Sequence, residues 1–300
     1  MRVAAVDLGT NSTRLLVADV EAGRITEIVR RLAITRLGEG VDANRKLLPA
    51  PIARVHTVLD AYAEEARALG ADRVLAVATS AVRDASNGKA FLGDLGLRYG
   101  WTTRLLDGQE EAETTFRGVT SDRTLEVETL MLDIGGGSTE ILVAGPAGLS
   151  FATSLQIGCV RLTERFLASD PPAASELEAA ARAVRSLLPP LDVERAVGVA
   201  GTVTTVAAID LGLSEYDPVR IDGHRIGRDV ADGTLARLAG LTLEERERVT
   251  GLEPARAPVI VGGLVVLSAV MQCYGLTEIE ASERDILHGI AIAAAAAPSA

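Results

Sequence analysis

Three hundred residues, 48% of them hydrophobic and 24% charged, are enough for two compact α/β bodies, each with its own core. Aromatics make up only 3% of the chain, so aliphatic side chains must fill those cores. The formal charge of −11 argues against a nucleic-acid surface, and any anionic substrate then needs a locally positive site.

Residues 2–33 read as three successive strands, with DLGTNSTR (Asp7 to Arg14) between the first two and a tight turn at Ala22 and Gly23 before the third. RLGEGV, 36–41, is a glycine-punctuated loop. Apolar residues Ile52, Val55, Leu59, Tyr62 and Ala66 recur at helical spacing, so 49–69 is an amphipathic helix with His56 on its surface. The strand RVLAVA, 73–78, runs into a short helix carrying Arg83 that Thr79 or Ser80 is placed to cap; an arginine there can fork onto phosphate, although an isolated arginine is more often a surface ion-pair partner. A further short strand leads to DGQEEAETTFRGV. There Asp107 and Glu110 have capping-box spacing, and Glu111, with Thr115 and Gly118, lies beside the buried stripe of Ala112, Phe116 and Val119.

A second three-strand plan begins near Leu130 and holds DIGGGSTE, 133–140, between its first two strands. Gly135, Gly136 and Gly137 let backbone N–H groups converge on an anion, Ser138 and Thr139 add hydroxyls, and Asp133 and Glu140 suit a divalent cation. Asp7, Gly9, Ser12 and Thr13 recur as Asp133, Gly135, Ser138 and Thr139. A repeated strand, turn, strand unit predicts a duplicated domain, with an interdomain cleft in which two hairpin tips grip one phosphate chain. The boundaries read as 1–121 and 122–300, with the last helix free to pack back on the first domain.

Beyond Ser154, IGCVRLTERF starts one helix and SELEAAARAVRSLL forms another. Strand 196–200 opens into GTVTTVAAI, either a further phosphate contact or an ordinary helix start, and apolar 258–274 reads as a buried helix. LEERERV is a short helix, EIEAS a strand, and DILHGIAIAAAA a last helix ahead of a fraying PSA tail. The apolar C-terminal helices make a homodimer an expectation. Cys159 and Cys273 match no metal spacing and read as buried thiols in a reducing cytoplasm, His224 and His288 suggest no zinc site, and no secretory leader or membrane span is evident.

DLGTNSTR, RLGEGV, ATSAVR, GQEEAE, DIGGGSTE, IGCVRLTERF, VAGTVTT and SERDILHGI, in that order, closely resemble the exopolyphosphatase and guanosine pentaphosphate phosphatase (Ppx/GppA) family. The resemblance implies a duplicated actin-like (ribonuclease-H-like) α/β fold and Mg²⁺- or Mn²⁺-dependent release of terminal phosphate from inorganic polyphosphate. Guanosine pentaphosphate is the alternative substrate, and an actin-like sugar or acetate kinase or a non-enzymatic phosphate sensor are more distant readings. By resemblance Glu111 is the catalytic base, and Asp133 and Glu140 hold metal and water, with Asp7 a third candidate. Asn11, Ser12, Thr13, Arg83 and Gly135 to Thr139 contact phosphate. Many family members continue into a helical HD-type domain that extends their polyphosphate-binding surface, whereas this chain ends where that domain would begin, which leaves processive action on long chains open. Neither nucleic acid nor membrane is an expected partner.

Overall fold

The computed structural model describes residues 1–297; the predicted fraying of the tail at 298–300 lies outside them. The chain forms two units, Met1–Thr124 with the C-terminal segment beginning at Arg284, and Leu125–Glu283.

In the first unit β1 (Arg2–Leu8), β2 (Ser12–Glu21) and β3 (Arg24–Ile34) form an antiparallel meander, and β4 (Arg73–Ala78) and β5 (Thr102–Leu105) extend it in parallel, giving the order β3-β2-β1-β4-β5. Ala22 and Gly23 both take positive φ, which closes the β2–β3 hairpin with a twist matching its strands. Helices α1 (Val41–Asn44), α2 (Pro49–Ala68), α3 (Ser80–Asp84), α4 (Gly88–Tyr99) and α5 (Gly108–Val119) complete this part of the chain. Strand alternation divides the apolar residues between two faces. Val6, Leu8, Leu15 and Val17 pack with Val55 and Leu59 of α2 and Leu95 of α4.

The second unit repeats the plan. β6 (Thr129–Ile134), β7 (Thr139–Gly145) and β8 (Gly148–Leu155) form the meander, followed by α6 (Cys159–Phe166), α7 (Ala174–Leu187), β9 (Arg195–Val199), α8 (Ala200–Asp210), α9 (Pro218–Ile221), β10 (Arg225–Gly227), α10 (Arg228–Ala239), α11 (Leu243–Arg246), α12 (Ile260–Cys273) and β11 (Glu278–Ala281). The sheet order β8-β7-β6-β9-β11-β10 matches that of the first unit with one added antiparallel edge strand. This is the duplicated actin-like α/β fold.

The last helix, α13 (Ile286–Ala296), belongs to the first unit. Its Ile286, Leu287, Ile290 and Ala291 cover Val3, Ala5, Leu16 and Ala18, the sheet face opposite α2. The apolar faces of α12 and α13 that suggested self-association are thus part of the cores of their own units. Among the described residues no helix is long and apolar enough to cross a membrane. Both cysteines are free; Cys159 is buried, but Cys273 ends α12 and is exposed, because the buried run stops at Met271. The LEERERV segment is helical for one turn only.

Candidate functional site

Both glycine turns are shaped by strand pairing and then clamped from behind. A Cβ on Gly9 would lie 3.0 Å from the Ser12 carbonyl, and one on Gly135 would lie 3.1 Å from that of Ser138, so the duplicated motifs make duplicated turns. In the second unit the carbonyl of Gly135 accepts from Cys159 N–H at 2.9 Å, and that of Gly136 from Val160 and Arg161 N–H at 2.9 and 3.1 Å. A trans peptide directs its N–H opposite its carbonyl, so the amides of Gly136 and Gly137 face away from α6. In the first unit the 36–38 loop clamps the turn in the same way, with Arg36 N–H donating to Asn11 O at 2.9 Å and Gly38 N–H to Thr10 O at 2.8 Å. That explains why RLGEGV accompanies DLGTNSTR. A Cβ on Gly38 would sit 2.2 Å from Thr10 Cγ2.

The two threonines face inward. Thr13 pairs with Leu8 and Thr139 with Ile134 in register, and both partners are core residues, so period-two alternation turns the hydroxyls into the units. Thr13 bonds Thr35 at 2.9 Å and Thr139 donates to Ile157 O at 2.6 Å, so both hydroxyls are engaged within their own units. Ser12 is half-buried and Ser138 buried.

Asn11 behaves differently. It is only 6% exposed, and neither its Oδ1 nor its Nδ2 has a hydrogen-bond partner. A buried amide with both ends unmatched is costly unless a ligand completes it.

Arg83 and Glu111 meet at 3.1 Å, Nη1 to Oε2, and the same Nη1 donates to Leu106 O at 2.8 Å. Arg83 Nη2 is buried without a partner. Thr79 holds the N-cap position of α3 but makes no side-chain cap, and Ser80 instead bonds Thr10 at 2.9 Å, tying α3 to the first turn. The capping box of α5 forms as predicted between Asp107 and Glu110. Glu111 is 7% exposed and shares the buried face with Ala112, Thr115, Gly118 and Val119, while Phe116 is half-buried, so the carboxylate lies within the buried face rather than beside it.

In the second unit Asp133 stands opposite Glu140 in the β6–β7 register, placing both carboxylates on one sheet face. They are 7% and 1% exposed, and Glu140 Oε1 accepts from Ser154 Oγ at 2.7 Å. Among the described residues no group of three or more His, Cys, Asp or Glu side chains has metal-holding geometry. Two adjacent carboxylate oxygen donors still fit Mg²⁺ or Mn²⁺, since Mg²⁺ commonly takes one or two carboxylates and completes its shell with water and substrate phosphate.

The slot that Glu140 fills is occupied in the first unit by Arg14, opposite Asp7. Arg14 donates from Nε at 2.9 Å and from Nη2 at 2.7 Å to Asp7 Oδ2, and its Nη1 pairs with Asp285. Asp7, the third metal candidate, gives its Oδ2 to this ion pair. Burial, with some help from the Asp285 charge, raises its pKa against the pull of Arg14. At Asp285 burial also opposes ionisation, but Arg14 and Arg30 outweigh it and hold this carboxyl far below its usual range. Neither Arg14 nor Asp285 was picked out from sequence. The repeat could have shown the exchange of Arg14 for Glu140, whereas a partner 271 positions away leaves no local signal. Gly201, Thr202 and Thr204 lie in the first turns of α8, where Ala200 takes a φ of 64° and both threonines are buried.

The chain is 41% identical to exopolyphosphatase 2 of Mycobacterium tuberculosis over 98% of each protein. It is 27% identical to a guanosine-5'-triphosphate,3'-diphosphate pyrophosphatase of Pseudoalteromonas atlantica, over 96% of this chain and 57% of that protein. The crystal structure of the Aquifex aeolicus Ppx/GppA family member superimposes with a TM-score of 0.81 at 29% identity, covering 98% of this chain and 97% of that one. Residues 16–296 match the profile of the Ppx/GppA phosphatase family, and the chain belongs to that family.

Proposed function

We propose that this protein is an exopolyphosphatase, releasing terminal orthophosphate from inorganic polyphosphate. The observation that carries the reading is the Arg83–Glu111 pair, in which a buried carboxylate adjoins a guanidinium whose Nη2 has no partner. A general base and a hydrogen-bond donor for phosphate are then held side by side. Phosphoryl transfer asks mainly for positioning and charge neutralisation.

Glu111 takes the proton of the attacking water at its carboxylate; the phosphate-binding groups are Arg83 Nη2, Asn11 and Ser12 in the first unit and, in the second, Ser138 and the amides of the Gly135–Gly137 turn. Asp133 and Glu140 would hold Mg²⁺ or Mn²⁺, which would neutralise phosphate charge when bound. The free cysteines suit a reducing cytoplasm.

The test is phosphate release by the purified protein with Mg²⁺ from medium-length polyphosphate, guanosine pentaphosphate, or ATP plus sugars. Release from polyphosphate supports the proposal. Release from guanosine pentaphosphate alone replaces it with the nucleotide phosphatase reading, and phosphorylated sugar replaces it with a kinase.

A further inference from the structure

We propose that Asp285, delivered by the C-terminal segment, is a positioning residue for the first glycine turn, acting through Arg14. The inference rests on the exopolyphosphatase reading for its choice of ligand. The geometry is internal to the first unit. Arg14 leaves the turn one residue after Thr13 and forks onto Asp7, and its Nη1 is held by Asp285 Oδ2. Arg30 Nη2 reaches the same oxygen at 3.3 Å from β3.

Asp285 divides its two oxygens between two roles. Oδ2 takes the guanidinium groups, while Oδ1 caps α13 by accepting from Leu287 N–H at 2.9 Å. Its backbone is fixed as well. In the neutral ring His288 Nδ1 accepts from the Asp285 N–H at 3.2 Å, in the protonated ring it faces Asp285 Oδ1 at 3.5 Å, and the wholly buried side chain joins Glu27 through Nε2 at 2.9 Å. On the other side the Asp285 carbonyl lies so close to Gly118 of α5 that a Cβ there would approach it to 1.9 Å. A carboxylate anchored to two helices and a strand cannot follow Arg14, so Arg14 must conform to it.

The matching slot of the repeat gives this a functional direction. Where the second unit has a carboxylate pair, Asp133 with Glu140, the first has a carboxylate facing a cation. A cation wedged between Asp7 and Asp285 is useful to a polyanion only while its direction is fixed, because a guanidinium binds through the geometry of its fork.

The test is a double-mutant cycle read by calorimetric binding of tripolyphosphate, with polyphosphate turnover measured in parallel. Asp285→Asn keeps a capping oxygen but removes the charge. It should weaken tripolyphosphate binding about ten-fold, with saturated turnover within about two-fold of wild type, and Arg14→Gln should do at least as much. The double variant should bind as Arg14→Gln does, since Asp285 acts through Arg14. Unchanged binding in Asp285→Asn, or equal weakening by it with and without Arg14, overturns the proposal. Arg14→Lys tests it even where Asp285→Asn does not fold: lysine keeps the charge without the fork, so binding as weak as in Arg14→Gln supports positioning and wild-type binding overturns it. Wild-type protein that binds tripolyphosphate without releasing phosphate refutes the exopolyphosphatase reading alone, and failure to bind refutes both.

Discussion

Asn11 offers a prediction whose sign is opposite to that of most buried substitutions. Its amide is buried with oxygen and nitrogen both unpartnered. Each unmatched buried polar group costs about 1–3 kcal/mol, so Asn11→Ala removes a penalty of that order. The substitution opens a space of a few tens of Å³, worth less than about 1 kcal/mol at roughly 24 cal/mol per Å³. The ligand-free variant should therefore be more stable by about 1 kcal/mol or more, which for a domain of this size raises the unfolding midpoint by about 2–4 °C. Polyphosphate affinity should fall about ten-fold, because the amide hydrogen bonds to phosphate are lost. Scanning calorimetry without ligand, beside Michaelis constants on polyphosphate, measures both. A midpoint lowered by several degrees with an unchanged Michaelis constant would show that Asn11 is satisfied within the fold and is not a ligand contact.

Glu111→Gln should lower kcat by about 10²- to 10⁴-fold, or roughly 3–5 kcal/mol in barrier height, with polyphosphate still bound; undiminished turnover removes Glu111 from the mechanism. Asp133→Asn or Glu140→Gln should raise the Mg²⁺ concentration needed for half-maximal rate by about ten-fold or more, and an unchanged Mg²⁺ titration would count against the metal assignment. Gly118→Ala drives a Cβ to within 1.9 Å of the Asp285 carbonyl, a backbone atom, and should cost roughly 3 kcal/mol or more, seen as a lower urea midpoint. At His288, burial disfavours the charged ring, but Asp285 and Glu27 outweigh it and raise the pKa. A raised folded-state value means stability that is fully present below the unfolded pKa of about 6.5 and is lost as pH rises through the folded value. The melting-temperature gap between wild type and His288→Gln should therefore be widest below about pH 6.5 and narrow above it; a gap constant with pH would show that His288 does not change charge.

The duplicated architecture was legible because its signals are local. Alternating apolar residues on either side of Asp7–Arg14 and Asp133–Glu140, together with glycines that leave room for a close carbonyl, specify strand, turn and strand without reference to the rest of the chain. The capping box of α5 and the buried run of α12 were readable for the same reason. Glu111 was harder. Helical spacing set it beside the apolar stripe, but its burial depends on what α5 packs against and on Arg83, which arrives from a helix 28 positions earlier.

Side-chain direction and long-range pairing were decided only by tertiary structure. Thr13 and Thr139 look like phosphate donors in the motif, yet strand register turns them into the cores. The final helix joins the first unit because the sheet face formed by Val3, Ala5 and Leu16 needs an apolar cover, and α13 provides it. That docking carries Asp285 to Arg14. Sequence by itself determined which segments form strands and helices and where the two glycine turns fall, since backbone geometry depends on near neighbours. Only the folded chain decided which charges meet, because an ion pair spanning 271 positions exists only after distant strands and helices have packed.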